Sequence, residues 1–294
     1  MADRRLLVVV NPGASRAETE LAPAIGALAA AGFEIDLRRS RRSEDLGALI
    51  VEGARSCDAV LVGGGDGTVN GALGALIEAG KPVGILPLGT ANDLALTLGI
   101  PADAEGAAGV VAAGRTRRID IARANGRPFA NAASVGLGVE IALHQDSERK
   151  QNWRVLSYLL TTIEVLGEAE RFRATIECDN RRFEVETYQI AVGNGVFYGG
   201  GMRVAEDAAI DDGMLDVYAI EAETIGELMT LAPALRAGTQ IHSDCVTALR
   251  CRSVRIETDQ PLSVNTDGEV TTKTPLEITV DPAALDIFAP PPAA

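Results

Sequence analysis

The sequence has few of the residues that build histidine or cysteine sites. Only two of its 294 residues are histidines, which nearly excludes a zinc cage made of histidines and disfavours a histidine-driven catalytic triad. The four cysteines, Cys57, Cys178, Cys245 and Cys251, include no Cys-x-x-Cys pair. We therefore expect four reduced thiols, as in a cytoplasmic protein, with neither a disulfide framework nor a zinc site.

Long apolar runs and an excess of positive charge are also missing. No run approaches the roughly 18 to 20 apolar residues that span a bilayer, and the five apolar residues after the first arginines are too few for a signal-peptide core. The net charge is −14. This balance argues against nucleic acid as a partner and against strong electrostatic attachment to anionic lipid. With 47% hydrophobic and 23% charged residues, the composition is that of a globular protein.

The first 120 residues alternate between strand and helix patterns. Apolar runs predict strands at 5–11, 33–40, 58–65 and 81–89, and helical spacing predicts helices at 18–31, 44–55, 69–79 and 92–98. This alternation predicts a parallel sheet with helices on both faces. Ligands of such sheets bind outside the carboxyl ends of the strands, where the "NPGAS", "GGGDGT" and "PLGT" turns fall.

After about residue 121 the pattern changes to short strands separated by turn signals. Helical spacing is convincing there only over 152–166 and 224–237. The pattern predicts a β-rich second domain built as a sandwich or a barrel-like pair of sheets. We divide the chain into an α/β domain at 1–121 and a β-rich domain at 122–280, and expect 281–294 to pack back on the first domain.

The glycine-rich turn "GGGDGTVN" at 63–70 matches neither common phosphate loop. Thr68 stands where G-x-G-x-x-G needs its third glycine, and no lysine follows as a P-loop requires. A plain turn between strand and helix is one interpretation of the glycines. The other is an anion site, because backbone N–H groups at a helix N-terminus attract phosphate. Asp66 then makes sense if it works with magnesium or the acceptor, which predicts a metal nucleotide as ligand.

Two other motifs also have a structural and a functional interpretation. "LPLGTANDLA" at 86–95 could be only a helix start, with Thr90 or Asn92 as its cap. "TDGE" at 266–269 could be only a hairpin turn, since Asp-Gly favours hairpins. A hairpin tip can also present Glu269 into a cleft as a base for an acceptor hydroxyl.

Taken together, these motifs resemble the diacylglycerol kinase catalytic-domain family, which includes bacterial soluble lipid kinases and the sphingosine and ceramide kinases. The matching segments are "NP" at 11–12, "GGGDGTVN" at 63–70, "LPLGTANDLA" at 86–95, "GNG" at 193–195, "AAIDDGMLDV" at 208–217 and "NTDGE" at 265–269. They span nearly the whole chain in the family's order. The resemblance implies a nucleotide domain like those of phosphofructokinases and NAD kinases, joined to a β-sandwich, with catalysis in the cleft between them.

The resemblance also implies roles for individual residues. Glu269 matches the proton acceptor, with Asp267 beside it, and Asp66 is the third catalytic residue. Asp212 matches a structural Mg²⁺ ligand assisted by the carbonyls of Ala209 and Met214, where Ca²⁺ is an alternative. ATP contacts are implied at Asn11, Ser40, Gly64, Gly65, Asp66, Gly67, Thr68, Val69, Asn70 and Thr90.

The expected activity is therefore an ATP- and Mg²⁺-dependent kinase acting on a hydroxyl of a glycerolipid or sphingoid lipid. "VFYGGGMRVAED" at 196–207 is expected to border the acceptor pocket, and a flexible loop is the alternative interpretation. Acidic residues follow Arg16 where this family has basic ones, and "RRSRRS" at 38–43 favours a solvated loop over a lipid-binding patch. We expect a cytoplasmic protein with transient contact at the inner membrane surface and leave its oligomeric state, including a dimer, open. The alternatives are an NAD kinase-like enzyme and a non-catalytic nucleotide or lipid sensor.

Overall fold

The structure is a computed structural model that describes residues 4–40, 45–137, 139 and 170–291. The helix predicted at 152–166 lies outside these ranges. Within them, no helix is both long enough and apolar enough to cross a membrane.

The N-terminal half is a parallel sheet covered by helices. Its strands are β1 (Arg4–Val10), β2 (Phe33–Arg39), β3 (Ala59–Gly64) and β4 (Val83–Pro87), and its helices are α1 (Ala17–Ala30), α2 (Asp45–Ala54), α3 (Asp66–Ala79), α4 (Asp93–Thr97) and α5 (Ala104–Ala113). The strands pair in the order β2-β1-β3-β4. Every residue of β3 is buried, as expected of a strand covered on both faces. The predicted parallel sheet is confirmed.

Two helices differ from the sequence prediction. The helix predicted to start at residue 69 begins at Asp66, so Asp66, Gly67 and Thr68 form its first turn instead of a preceding loop. The helix α5 was not predicted. Its start is marked by Asp103, whose carboxylate accepts a hydrogen bond from the Gly106 N–H at 2.7 Å, and its end by Gly114 in the left-handed conformation.

The rest of the chain is mostly β structure. Its strands are β5 (Thr116–Ala124), β6 (Arg127–Phe129), β7 (Ala132–Gly136), β8 (Phe172–Cys178), β9 (Arg181–Thr187), β10 (Gln189–Gly193), β11 (Phe197–Tyr198), β12 (Met202–Arg203), β13 (Leu215–Ile220), β14 (Val246–Cys251), β15 (Ser253–Thr258), β16 (Ser263–Thr266), β17 (Glu269–Lys273) and β18 (Leu276–Phe288). The predicted helix at 224–237 is two short helices, α6 (Ile225–Thr230) and α7 (Ala232–Ala237).

Two sheets form the predicted sandwich. A six-stranded sheet has the order β14-β13-β10-β7-β16-β17, and it faces the β18-β15-β8-β9 part of a larger sheet. Val135 and Ile190 from the first sheet share one buried cluster with Ile176 and Ile256 from the second. This shared core confirms a β-sandwich-like second half.

The two halves are joined through a continuous sheet. Strand β18 pairs in parallel with β4 and antiparallel with β5 and β15, and Ile287 belongs to the N-terminal core. The boundary proposed at residue 121 falls inside β5. Ile121 packs in the N-terminal core and Ala122 in the second core, so the division into two domains remains a proposal.

The prediction of four reduced cysteines is wrong for one pair. Cys178 and Cys251 form a disulfide, with Cα atoms 5.7 Å apart, whereas Cys57 and Cys245 are free. The two half-cystines are 73 residues apart and end strands in different sheets. Only the packing of the sandwich brings them together, and the sequence spacing carries no sign of it.

Candidate active site

The three polar turns of the N-terminal half meet at one edge of the sheet. The Asn11 N–H donates to the Gly63 carbonyl at 3.0 Å, and the Leu88 N–H donates to the Gly64 carbonyl at 3.0 Å. The Arg16 N–H reaches the Leu88 carbonyl at 3.2 Å. The carboxyl ends of β1, β3 and β4 thus lie side by side, as the parallel sheet predicts.

Glycine is required where two of these turns touch. A Cβ added to Gly89 would lie 2.3 Å from the Gly65 Cα, and a Cβ on Gly65 would lie 3.0 Å from the Gly89 Cα. A Cβ on Gly64 would collide with the Thr68 side chain at 2.4 Å. The glycines therefore allow the backbones of the GGDGT and PLGT turns to approach directly.

The start of α3 has the properties of an anion site. Gly65 occupies the N-cap position and provides no side-chain cap, and the first N–H groups of a helix have no partner within the helix. The dipole of this 14-residue helix adds positive potential at the same point. Asn11 stabilises the turn, because its Nδ2 donates a hydrogen bond to the Thr68 Oγ1 at 3.2 Å. The turn can therefore hold a phosphate through its backbone.

Asp66 is oriented by the PLGT turn. Its Oδ2 accepts a hydrogen bond from the Asn92 N–H at 2.7 Å. Asn92 has a positive φ of 56° and closes its own turn, since its amide group exchanges two hydrogen bonds with Gly89, both 3.0 Å long. Asn92 occupies the N-cap position of α4, but its side chain does not cap the helix. Burial raises the pKa of Asp66 above its usual value, against the hydrogen bonds from nearby N–H groups.

The DGE motif is the tip of the β16–β17 hairpin. Asp267 and Gly268 form its two-residue loop, and both have positive φ, 49° and 92°, as a type I′ turn requires. The Asp267 carboxylate is anchored by three backbone N–H groups, those of Ala130 at 2.7 Å, Asn131 at 2.9 Å and Ala132 at 3.0 Å. These contacts give Asp267 a clear part in positioning the hairpin, while its implied catalytic role stays a prediction.

Burial raises the pKa of Asp267 to about 6, although the three N–H groups act in the opposite direction. The negative charge of Asp66 adds to the rise. The two carboxylates therefore lie close enough to interact, even though 200 residues of sequence separate them.

The hairpin reaches the start of α3. The Asn70 Nδ2 donates to the Thr266 carbonyl at 3.4 Å. A Cβ placed on Gly67 would lie 3.0 Å from the Glu269 Oε1, so the exposed Glu269 carboxylate lies directly against the first turn of α3. The glycine-rich turn and the predicted base therefore meet, at the place where the sequence predicts the catalytic cleft.

Asp93 is a site residue whose importance the sequence did not reveal. It is only 6% exposed, and its Oδ2 accepts a hydrogen bond from the Gly200 N–H at 2.9 Å. Burial, with a contribution from the Asp66 charge, raises its pKa to about 6. The Phe197 N–H also donates to the Thr97 Oγ1 at 3.2 Å. The glycine-rich loop at 196–207 is thereby fastened to α4, next to the cleft.

Three other residues predicted to contact ATP differ in their exposure to solvent. Ser40 is 3% exposed, and its hydroxyl donates to the Val10 carbonyl at 3.4 Å. Val69 lies on the buried face of α3, while Thr90 is exposed on the PLGT turn. Their ATP contacts stay predictions, and of the three the exposed Thr90 is best placed to meet a ligand.

The Arg16 guanidinium is bound within the protein and is not directed to a lipid surface. Its guanidinium donates to the Ala102 carbonyl at 2.9 Å and to the Pro87 carbonyl, and it pairs with Glu20 at 3.1 Å. Arg38 in the basic segment likewise pairs with Asp36 at 3.0 Å; residues 41–44 of this segment lie outside the described ranges. Arg16 holds the PLGT turn against the start of α1.

The raised pKa of Asp93 predicts a pH-dependent stability. Between about pH 4 and pH 6 the folded protein holds a proton on Asp93 that the unfolded chain releases, so this contribution to stability is lost as the pH rises through about 6. Relative to wild type, the free energy of unfolding of Asp93→Asn is expected to rise by about 1 to 3 kcal/mol between pH 4 and pH 7. Urea unfolding in chelator, with the exposed Asp244→Asn as control, measures this difference. A difference that does not change with pH contradicts the assignment.

Comparisons with known proteins identify the family of the chain. Residues 5–124 match the model of the diacylglycerol kinase catalytic domain, and residues 131–289 match that of the YegS C-terminal NAD kinase beta sandwich-like domain. Proteins named "Probable lipid kinase YegS-like" are 32% identical in Xanthomonas campestris, over 99% of this chain and 97% of the relative, and 32% identical in Pseudomonas aeruginosa, over 98% and 95%.

A solved structure from Bacillus anthracis, described as a diacylglycerol kinase, superimposes over all of both chains with a TM-score of 0.81 and 25% sequence identity. A second structure from that organism reaches a TM-score of 0.84 with 28% identity over 99% of each chain. Two family models together cover almost the whole sequence, and the fold and the motifs agree with them. The chain belongs to the diacylglycerol kinase catalytic-domain family of lipid kinases.

Proposed function

We propose that this protein transfers the γ-phosphoryl group of ATP, with Mg²⁺, to a hydroxyl of a glycerolipid or sphingoid lipid in the cleft between α3 and the β16–β17 hairpin. One observation carries the proposal above all: the Glu269 carboxylate lies against Gly67 in the first turn of α3. A base for the acceptor therefore lies next to an anion site for the donor, as positioning catalysis requires.

Each group of residues in the cleft has a separate role in the proposed phosphoryl transfer. The N–H groups at the start of α3 hold the nucleotide phosphates. The acceptor oxygen attacks the γ-phosphorus as the bond to the β–γ bridging oxygen breaks, ADP leaves, and Glu269 takes the hydroxyl proton. Asp267 holds the hairpin and so orients Glu269, and Asp93 holds the glycine-rich loop at the side of the cleft.

The donor set around Asp66 fits a Mg²⁺ ion that arrives with the nucleotide. Magnesium is commonly held by one or two carboxylates together with substrate phosphates and water. The described residues contain no group of three or more His, Cys, Asp or Glu side chains arranged to hold a metal, so the Asp66 carboxylate would share the ion with the phosphates and water. The ion would neutralise phosphate charge that would otherwise repel Asp66.

The lipid contact is expected to be transient. The chain carries a net charge of −14, and Arg16 is occupied by Glu20 and backbone carbonyls. Association with a membrane must therefore rely on recognition of the acceptor more than on charge attraction.

Mass spectrometry of a lipid extract after incubation with the purified protein, ATP and Mg²⁺ tests the proposal. We expect a lipid whose mass has increased by one phosphate group, absent when Glu269→Gln replaces the wild type. Phosphorylation of NAD in a parallel incubation would instead favour the NAD kinase-like alternative. ATP binding with no phosphorylated lipid or NAD would favour a non-catalytic sensor.

A further inference from the structure

Three carboxylates in and around the acidic turn before β13 face the same arginine, Arg250. Arg250 lies on β14, opposite Asp216 in the β13–β14 pairing. Its Nε lies 3.5 Å from the Asp216 Oδ1, its Nη1 lies 3.8 Å from the Asp207 Oδ2, and its Nη2 is hydrogen-bonded to the Asp212 Oδ2. Each of the three guanidinium nitrogens thus faces a different carboxylate.

Arg250 therefore binds Asp212, the residue that the family resemblance implies as a ligand of a structural metal. The second oxygen of Asp212 accepts the Met214 N–H at 2.9 Å, so both carboxylate oxygens already have partners. A divalent ion bound to Asp212 and to the carbonyls of Ala209 and Met214 would also lie beside a permanently charged guanidinium, which repels it. The residues present do not fit a resident Mg²⁺ or Ca²⁺ at this turn.

The neighbouring acidic residue also has its own arginine. The Asp211 carboxylate is held by Arg117 at 2.7 Å, and this contact lowers the pKa of Asp211. Two of the three carboxylates that face Arg250 are partly shielded from water, because the Asp216 side chain is 13% exposed and the Asp212 side chain 24% exposed, whereas the Arg250 side chain is 40% exposed. Shielding of this kind makes the loss of one partner more costly than at an open surface.

The turn that Arg250 stabilises also fastens the two halves of the molecule. The Gly213 N–H donates to the Asp120 Oδ2 at 2.6 Å, and the Asp120 N–H donates to the Ile210 carbonyl at 2.8 Å. The other oxygen of Asp120 accepts the Ala283 N–H at 2.7 Å. A cation at this turn therefore supports the contact with β5 and β18 on the N-terminal side.

We propose that Arg250 is the built-in cation of this turn and that the protein binds no structural divalent ion there. The arginine takes over the charge-neutralising part that the family resemblance assigns to a metal. Divalent ions are then needed at the phosphoryl-transfer cleft alone. This inference does not depend on the identity of the lipid or on the catalytic roles.

Thermal unfolding without nucleotide tests the inference. The wild type and Asp212→Asn are compared in chelator, in Mg²⁺ or Ca²⁺ at several times about 1 mM, the dissociation constant of weak protein Ca²⁺ sites, and in NaCl of matched ionic strength. We expect that Mg²⁺ or Ca²⁺ raises the Tm of the wild type no more than it raises the Tm of Asp212→Asn. A larger rise in the wild type would show a metal at Asp212 and would overturn the inference.

Variants of Arg250 test its own contribution. Arg250→Met is expected to lower the Tm by roughly 5 °C or more in chelator. Arg250→Lys should keep most of the wild-type stability. Divalent ions should restore part of the Tm of Arg250→Met, because they can enter the cluster of carboxylates that the arginine has left. Arg255→Met, at an exposed pair with Glu257, is the control and should change the Tm little. A stable Arg250→Met, or a loss that neither lysine nor a divalent ion restores, contradicts a role as cation. If Arg250→Met does not fold, the wild-type comparison with Asp212→Asn and the Arg250→Lys variant decide.

Discussion

Replacing Glu269 by glutamine is expected to lower kcat by about 10² to 10⁴-fold, the usual contribution of a general base, and to leave ATP affinity nearly unchanged. Glutamine keeps the size of the side chain beside Gly67 but accepts no proton from the acceptor hydroxyl. Steady-state kinetics with the lipid acceptor measures kcat, and nucleotide titration measures the affinity.

The matched control for this variant is Glu257→Gln, which removes a carboxylate from an exposed pair with Arg255. It should retain wild-type kcat. Full activity of Glu269→Gln would show that Glu269 is not the base. A large loss of ATP affinity would assign it to nucleotide binding instead.

Replacing Gly89 by alanine is expected to disrupt the proposed nucleotide site by displacing the neighbouring GGDGT turn. The new Cβ would lie 2.3 Å from the Gly65 Cα, so the GGDGT and PLGT turns must move apart. A displacement on the order of 1 Å at a reacting centre can cost about 10²-fold in rate. We expect a fall of that size in kcat/KM for ATP and a loss of about 1 to 3 kcal/mol in the free energy of unfolding.

Gly74→Ala provides the comparison, because nothing lies within 4 Å of a Cβ on this glycine of α3. It should keep full activity and gain about 0.5 to 1 kcal/mol of stability from better helix propensity. Kinetics and urea unfolding of both variants decide the point. Equal activity of Gly89→Ala and wild type would mean that contact between the turns is not needed for nucleotide binding.

The N-terminal half could be predicted well because local patterns specify it. The apolar runs of β1 and β3 are buried on both faces, so their sequence differs sharply from that of the amphipathic helices. The turns were placed correctly since parallel strands bring their carboxyl ends together. The error at α3 was one of boundary. Gly65 and Gly67 suggested a loop, but the helix already includes Asp66.

The long-range features could not be predicted in this way. Asp93 stands in a recognisable turn, yet its burial and its contact with Gly200 depend on a loop more than 100 residues later. The same is true of the Cys178–Cys251 disulfide and of Arg250, which meets Asp212 across two strands. In each case the partner is set by tertiary packing between distant segments, and an ordinary residue type gives no local signal.

The central claim is that one cleft binds ATP at the start of α3 and transfers its γ-phosphoryl group to a lipid hydroxyl activated by Glu269. The most direct measurement uses γ-labelled ATP and a lipid extract, and follows the label into chloroform-soluble product for the wild type and for Glu269→Gln. The account predicts labelled lipid with the wild type, and a rate lower by at least about 10²-fold with a variant that still binds ATP. Labelled lipid formed equally by both proteins, or by neither despite ATP binding, would contradict it.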